Sequence, residues 1–255
     1  MSGPAFPRVE GRPLVLGHRG ASADAPENTL AAFHLAMARG ADGFELDVWR
    51  CDSGEPVVIH DAGAARTAGE PLDVRREPLA RLKRLDVGAW KGPRHAGERI
   101  PALAEVLEAF PGAVVDVELK SDGLGDPRLA AAVARLVRSR AGSGRVLVSS
   151  FDYALLAAFR LAAPEVPVGL LFAAGRTWEV RDRLGAVLVP SSVHPELALC
   201  GDDRIAAWHR RGLAICAWTV DDAAEAERLA RAGVEALISN EPGATREAVR
   251  RATGR

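Results

Sequence analysis

The stretch Gly43-Phe44-Glu45-Leu46-Asp47-Val48 alternates apolar and acidic side chains with a period of two. This period is typical of a β-strand, in which successive side chains point to opposite faces of the sheet. Glu45 and Asp47 therefore share one face, and the apolar residues share the other. We expect the apolar face to meet helices and the acidic face to line the interior of a closed sheet.

Other segments repeat this strand character along the chain, with helical patterns between them. The predicted strands are residues 14–18, 43–48, 114–119, 146–149, 168–172, 186–189, 213–218 and 235–239, and residues 57–60 form the return arm of a hairpin. The predicted helices are residues 28–39, 79–85, 101–110, 128–139, 153–161, 202–211 and 221–232. Regular alternation of strands and helices is typical of a parallel α/β fold.

Eight strands with intervening helices predict a (β/α)₈ TIM barrel, an architecture that commonly reaches 255 residues as one domain. We expect a single domain over residues 1–255, with a core at about 12–245, an extra hairpin strand and a long loop after the second strand (residues 61–100). A doubly wound open sheet is the alternative. It is disfavoured because no Gly-x-Gly-x-x-Gly turn follows the first strand.

Composition narrows the classes of partner. The 33 basic and 34 acidic residues leave a formal charge of -1, so no overall field attracts nucleic acid or anionic lipid. No apolar signal-peptide run opens the sequence and no stretch has the length of a membrane span, so we expect a cytoplasmic protein. Three cysteines are too few for a disulfide framework. Nothing in the composition indicates the oligomeric state.

Some polar residue types are rare. Lysine occurs only at Lys83, Lys91 and Lys120, asparagine only at Asn28 and Asn240, and glutamine not at all. We interpret such sparing use as a sign that some of these residues have specific roles.

Acidic side chains gather on one face of two predicted strands. Asp116, Glu118 and Lys120 share a face just as Glu45 and Asp47 do. Several buried carboxylates are costly unless they bind a cation or pair closely, and one lysine cannot neutralise them all. We therefore predict a metal site over the alternative of a buried salt bridge. All-oxygen ligands favour Mg²⁺ or Ca²⁺ over zinc.

Histidines end two neighbouring segments, His18 after the first strand and His60 after the hairpin arm. A pair beside a carboxylate cluster suits general acid and base chemistry near neutral pH. Arg19 and Lys120 add positive charge at the same end of the predicted barrel, and a bound phosphodiester requires such charge. Trp218 ends a later strand, where its ring walls the pocket or belongs to the core. We assign no role to His34, His95 or His209, and His194, placed in a late loop, stays open.

Ordered motifs extend over nearly the whole chain, from Val15 to about Pro242. They are Gly-His-Arg-Gly-Ala-Ser (17–22), Pro-Glu-Asn-Thr-Leu-Ala-Ala-Phe (26–33), Gly-Ala-Asp-Gly-Phe-Glu-Leu-Asp-Val (40–48), Pro-Val-Val-Ile-His-Asp (56–61), Ile-Pro-Ala-Leu-Ala-Glu-Val-Leu (100–107), Val-Glu-Leu-Lys (117–120), Ser-Phe (150–151) and Trp-Thr-Val (218–220). Together these motifs resemble the glycerophosphodiester phosphodiesterase family.

The resemblance implies a TIM barrel that hydrolyses glycerophosphodiesters to sn-glycerol 3-phosphate and an alcohol. It implies one divalent cation on Glu45, Asp47 and Glu118. It also implies His18 and His60 as the acid/base pair, with Arg19 and Lys120 on the phosphate. In the mechanism proposed for such enzymes, the glycerol 2-hydroxyl attacks phosphorus and water opens the resulting cyclic phosphate.

The chain departs from the family pattern at two places. Ala62-Gly63-Ala64-Ala65-Arg66-Thr67 replaces a bulkier, Leu-containing segment, which predicts a more open loop wall. Asn240 stands where relatives usually have Asp, a change that touches none of the proposed ligands. Two alternatives remain: a lysophospholipase D with the same machinery, and a non-catalytic barrel that binds a phosphorylated metabolite. The leaving alcohol, the preferred cation and the order of action of the two histidines are not indicated.

Overall fold

Eight parallel strands form the wall of a closed barrel in the computed structural model, which describes residues 4–123, 125–139, 145–175 and 188–255. The strands are β1 (Leu14–His18), β2 (Gly43–Arg50), β4 (Val114–Leu119), β5 (Val146–Ser150), β6 (Val168–Phe172), β7 (Ser192–Pro195), β8 (Ala214–Ala217) and β9 (Ala236–Ser239). Pairing of β1 with both β2 and β9 closes the sheet. The hairpin arm β3 (Pro56–Val58) lies outside, antiparallel to β2. The predicted TIM barrel is thus confirmed.

Helices surround the barrel. In the described ranges they are α1 (Leu30–Ala38), α2 (Ala65–Ala68), α3 (Leu79–Leu82), α4 (Leu103–Ala109), α5 (Pro127–Arg138), α6 (Tyr153–Ala162), α7 (Asp202–Arg210), α8 (Ala223–Arg231) and α9 (Pro242–Thr253). Local sequence explains several starts, since the side chains of Asp126, Asp152 and Asp222 accept hydrogen bonds from the first turns of α5, α6 and α8. None of the helices in the described ranges is long and apolar enough to cross a bilayer.

The predicted strand at residues 186–189 is wrong where it can be compared. Residues 186 and 187 lie outside the described part, and Val189 belongs to no strand and is half exposed. The seventh strand is instead Ser192–Pro195, which pairs with β6 and β8. The apolar run at 186–189 resembled a strand. The true one was missed because its buried side chains Ser192 and His194 are polar.

The loop after β3 contains more structure than one short helix. Besides α3, which is shorter than predicted, it contains α2 and three 3₁₀ turns, at Val74–Arg76, Ala89–Lys91 and Pro93–His95. An apolar cluster that includes Trp49, Val74 and Leu82 anchors it against β2 and β3. The loop is therefore packed against the barrel by apolar burial of its own.

The core has an outer and an inner layer. The outward-facing residues of the strands, including Phe44 and Val117, pack against the helices. The inner cluster contains Leu14, Leu147 and Ile238, and Phe6 packs against it from the N-terminal segment. Apolar side chains fill these layers, so the acidic side chains of β2 and β4 stand out among the residues that face inward.

Candidate active site

One cavity at the carboxyl ends of the strands contains most of the predicted site residues. Enzymes with this fold place their active sites at that end. The residues that line the cavity are His18, Arg19, Glu45, His60, Asp116, Glu118, Lys120, Ser149, Phe151, Leu171, Trp218 and Ile238. Asp47 lies beside them, fully buried. All eight residues proposed from the sequence therefore meet in one place.

Three carboxylates converge in this cavity. Glu45, Asp47 and Glu118 each place an oxygen within 4.8 Å of the others. Their convergence follows from register, because Asp47 on β2 lies directly beside Glu118 on β4. The Oδ1 atom of Asp47 is buried and forms no hydrogen bond within the described part of the chain, although Lys120 Nζ lies 3.3 Å from it.

Mutual repulsion and burial shift the pKa values of this trio. Burial, reinforced by Asp47 and Glu118, raises the pKa of Glu45 well above its usual range. Burial and the Asp47 charge raise the pKa of Glu118 to about 7. Burial would raise the pKa of Asp47 too, but Lys120 and Arg19 together hold it below its ordinary value. Fully ionised, the trio would therefore carry more negative charge than its surroundings stabilise.

Two cationic side chains contact the trio. Lys120 Nζ donates to Glu118 Oε1 at 2.8 Å and lies 3.3 Å from Asp47 Oδ1. Arg19 places Nε 3.2 Å from Asp47 Oδ2, and its backbone N–H donates to Glu45 Oε2 at 3.1 Å. Three carboxylates against two cations leave a deficit of positive charge that a divalent cation would fill.

These residues fit an oxygen-ligated cation. The donor set is entirely carboxylate, as hard divalent cations prefer, and the buried Asp47 Oδ1 has an ion-pair contact but no hydrogen bond among the described residues. The salt bridge considered as the alternative does exist, because Lys120 pairs with two of the three acids. Among the described residues, no lysine or arginine side chain pairs with Glu45, which Arg19 contacts through its backbone N–H.

Asp116 does not join this trio, although its side chain shares their face. Its Oδ2 lies 3.1 Å from His194 Nδ1, and its Oδ1 accepts from the Ser149 hydroxyl at 2.8 Å. His194, placed by the sequence in a loop, is fully buried in β7. Cys216 also approaches this pair, and its pKa is raised well above the usual range by burial and by Asp116. A buried thiol that keeps its proton is a poor metal ligand, so we interpret the group as an internal His–Asp contact.

His18 and His60 differ in their Nδ1 partners. His18 Nδ1 lies 2.8 Å from the Asn240 side-chain oxygen, while His60 Nδ1 lies 2.6 Å from an oxygen of Asp61. Burial lowers the pKa of both rings, assisted at His18 by Arg19. Low pKa values favour neutral imidazole near neutral pH, the form that can accept a proton.

Arg66 occupies the loop wall that the sequence predicted to be open. Its guanidinium donates to Asp61 at 2.7 Å and makes two hydrogen bonds of 2.8 Å to Glu27. Glu27 in turn accepts from Arg19 at 3.0 Å. A chain of ion pairs therefore joins the segment after His60 to the segment after His18.

Trp218 forms an aromatic side of the cavity. Its ring meets Phe151 edge to face, with centroids 5.9 Å apart, and its indole N–H donates to the His194 carbonyl at 2.8 Å. The indole is therefore held in one orientation at the wall. The wall interpretation of Trp218 is the better of the two offered by the sequence.

Both asparagines belong to the site, a result that their rarity indicated. Asn28 precedes Thr29, whose side chain caps α1. Asn28 instead donates to Asp47 Oδ2 at 2.8 Å and accepts from the Asp47 backbone N–H. Asn240 contacts His18, so the change from the usual Asp touches a proposed catalytic residue after all. Of the three lysines, only Lys120 lies in the cavity.

Glu118 makes the stability of the cation-free protein depend on pH. Its pKa rises from an ordinary value of 4.5 to about 7 on folding, so the folded state holds a proton that the unfolded state releases. This contribution is present below pH 4.5 and is lost as pH rises through about 7.

We expect Glu118→Gln to remove that dependence. Because His18 and His60 titrate in an overlapping range, the informative quantity is the difference in Tm between the wild-type and variant proteins, both treated with chelator. The wild type should lose stability relative to Glu118→Gln between pH 4.5 and 7. Glu108 is exposed on α4 and offers a control. The difference in Tm between the wild type and Glu108→Gln should not change with pH. A flat difference for Glu118→Gln would contradict the raised pKa.

Fold and cavity together define a phosphodiesterase built on a TIM barrel. Residues 18–244 match the model of the glycerophosphoryl diester phosphodiesterase family, and the chain belongs to that family. It is 36% identical over 233 residues to a glycerophosphodiester phosphodiesterase of Caldanaerobacter subterraneus, covering 90% of this chain and 94% of that one. It is 33% identical to a probable glycerophosphodiester phosphodiesterase 1 of Mycobacterium tuberculosis, with 93% of each chain covered.

A solved structure agrees with the fold. A phosphodiesterase of Oleispira antarctica, in complex with the product sn-glycerol-3-phosphate, superposes with a TM-score of 0.85 at 32% identity. The match covers 93% of this chain and 97% of that one. The resemblance found in the sequence motifs is therefore confirmed at the level of family and fold.

Proposed function

We propose that this protein hydrolyses glycerophosphodiesters to sn-glycerol 3-phosphate and an alcohol, with a divalent cation, Mg²⁺ or Ca²⁺, held by Glu45, Asp47 and Glu118. The observation that carries the proposal is the convergence of this carboxylate trio, two cationic side chains and two histidines on one cavity. The structural relative from Oleispira antarctica, which binds the same product, supports it.

The residues of the cavity divide the work. Arg19 and Lys120 attract the phosphodiester and offset the negative charge that grows on its oxygens. A cation on the carboxylate trio would supply Lewis-acid stabilisation of the same charge. Trp218 offers an apolar face to the carbon skeleton of the substrate.

The two histidines move the protons. One imidazole takes the proton from the attacking glycerol 2-hydroxyl as its oxygen bonds to phosphorus. The other, which must begin the step as imidazolium, gives a proton to the oxygen of the departing alcohol as the P–O bond breaks. Opening of the cyclic phosphate by water runs the same two transfers in reverse order, so each histidine returns to its starting state.

A substrate panel tests this proposal. The purified protein should release glycerol 3-phosphate from glycerophosphocholine, glycerophosphoethanolamine, glycerophosphoinositol or glycerophosphoglycerol when Mg²⁺ or Ca²⁺ is present. Release should stop when the cation is chelated. A coupled assay for glycerol 3-phosphate measures the product.

The other outcomes separate the alternatives. Turnover restricted to lysophosphatidylcholine in detergent would identify a lysophospholipase D. Binding of glycerol 3-phosphate by calorimetry, without hydrolysis of any diester, would identify a binding barrel. Either result would overturn the proposal.

A further inference from the structure

The contact between His18 and Asn240 contains a choice of proton positions. His18 Nδ1 and the Asn240 side-chain oxygen are 2.8 Å apart. A neutral imidazole nitrogen either donates or accepts, and an amide offers either an oxygen or an NH₂ group. The identity of the donor therefore depends on which way the amide of Asn240 faces.

Asp221 determines that orientation. Its Oδ2 lies 2.6 Å from the Asn240 amide nitrogen, and its Oδ1 accepts from the Asn240 backbone N–H at 2.7 Å and the Ser239 hydroxyl at 3.0 Å. An ionised carboxylate has no hydrogen to donate. Reversing the amide would set two oxygens against each other at that distance. The NH₂ group must therefore face Asp221, and the carbonyl oxygen must face His18.

The proton on His18 follows from this orientation. The Asn240 oxygen can only accept, and it already receives the Ser22 hydroxyl at 2.7 Å. The short contact with Nδ1 is favourable only if Nδ1 carries a hydrogen. A neutral imidazole has one N–H, so Nε2 keeps a lone pair. Nε2 lies 4.0 Å from Glu45 Oε2, on the side of the carboxylate trio.

We propose that Asp221, acting through Asn240, is a positioning residue that holds the His18 ring in the Nδ1–H tautomer and presents Nε2 to the cavity. Neither Asp221 nor Asn240 lines the cavity. The importance of this tautomer for catalysis rests on the proposed function, whereas the tautomer itself does not.

His60 reaches the same state by a shorter route. Its Nδ1 faces a carboxylate oxygen of the adjacent Asp61, which also can only accept. Both neutral histidines therefore present an unprotonated Nε2 to the cavity. His18 differs because its partner is an amide with two possible orientations, and an amide needs a third residue to orient it.

Nitrogen NMR of histidine-labelled protein tests the tautomer directly. Spectra recorded at about pH 8, where histidine is largely neutral, should show His18 with a protonated Nδ1 and an unprotonated Nε2. A His18→Gln sample identifies the signals. A spectrum with hydrogen on Nε2 would overturn the proposal, and this measurement needs neither substrate nor a folded variant at Asp221.

Asp221→Asn tests the positioning role. The new amide must keep its oxygen toward the Asn240 backbone N–H, so its NH₂ group faces the Asn240 side chain. The Asn240 amide then reverses and turns its NH₂ group to His18 Nδ1, so His18 should shift toward the Nε2–H tautomer. We expect kcat to fall about 10- to 100-fold with KM nearly unchanged, as for loss of a partner that orients a functional histidine. An unchanged tautomer, or an unchanged kcat alongside a shifted tautomer, would each contradict the role.

A control variant at Asp222 and a double variant that exchanges residues 221 and 240 complete the experiment. Asp222→Asn alters the adjacent acid, which caps α8 through the Glu225 backbone N–H, and should leave the tautomer and kcat as in the wild type. The double variant Asp221→Asn/Asn240→Asp exchanges amide and carboxylate, so an acceptor again faces His18 and a donor again faces its partner. This variant should regain the Nδ1–H tautomer and recover most of the lost kcat. Failure to regain the tautomer would contradict the hydrogen-bond argument.

The tests distinguish this inference from the proposed function. If no diester is hydrolysed but Nδ1 carries the proton, the proposed function fails and the tautomer stands. If diesters are hydrolysed but Nε2 carries the proton, the proposed function stands and the positioning role of Asp221 fails.

Discussion

His60→Ala and His18→Ala should each lower kcat by about 10²–10⁴-fold, the usual cost of losing a group that transfers protons in the transition state. Both rings line the cavity beside the carboxylate trio, and each has its Nδ1 engaged by a protein partner. Because KM depends more on phosphate contacts than on proton transfer, we expect KM to change much less. Steady-state assays with a glycerophosphodiester at saturating cation measure both constants.

His209→Ala is the matched control for these variants. His209 also lies close to a carboxylate, with Nε2 3.3 Å from Glu235, but it belongs to α7 and does not line the cavity. Its removal should leave kcat within the error of the assay. The melting temperature of each variant shows whether the fold survives. Wild-type turnover by a folded His18→Ala or His60→Ala protein would remove that residue from the proposed mechanism.

Glu45→Gln should produce the second large effect, a loss of activity that added cation partly restores. Loss of one carboxylate weakens cation binding, so activity at a fixed, low cation concentration should fall by at least about 10²-fold. In the cation-free protein the raised pKa of Glu45 means that folding at neutral pH must either bury its charge or take up a proton. Gln avoids that cost, so the melting temperature should rise. Activity titrations with Mg²⁺ and Ca²⁺, together with calorimetry in chelator, measure the two effects.

The opposite pair of results would favour a structural carboxylate. If added cation restored no activity and the cation-free variant melted at a lower temperature, Glu45 would serve the fold and not a cation. Glu108→Gln removes an exposed glutamate from α4 and should change neither measurement. The comparison therefore separates a buried ligand from a general effect of charge.

The barrel was predictable because most of its strands have a local signature. The run Leu14–His18 and the alternation in Val114–Leu119 need no information from elsewhere in the chain, and both are strands in the structure. The exception is β7, whose inward side chains Ser192 and His194 are polar. Their burial depends on contacts across the barrel, with Asp116 for His194, that no local pattern contains.

The sequence predicted which residues belong to the candidate site better than it predicted the hydrogen bonds and ion pairs between them. The spacing of two residues predicted that Glu45 and Asp47 face the same way. The positions of His18 and His60 at the ends of neighbouring segments, supported by the motif resemblance, predicted the histidine pair. The sequence did not show that Arg66 joins the segment after His60 to Glu27 by an ion pair, because Glu27 lies 39 residues away. The rarity of asparagine was a usable signal, although it could not say what Asn28 and Asn240 contact.

The sequence by itself determined which side chains face the inside of most strands, β7 excepted, and where most of the helices start and stop. These properties depend on neighbours within a few residues, so the period of the side chains specifies them. Only the tertiary structure decided which of those side chains meet. Closure of β1 against β9 brings Asn240 to His18 across 222 residues of sequence, and with it the Asp221 carboxylate that orients the amide. A hydrogen bond between residues so far apart in sequence depends on the register of the closed sheet. The side-chain periodicity within one strand carries no information about that register.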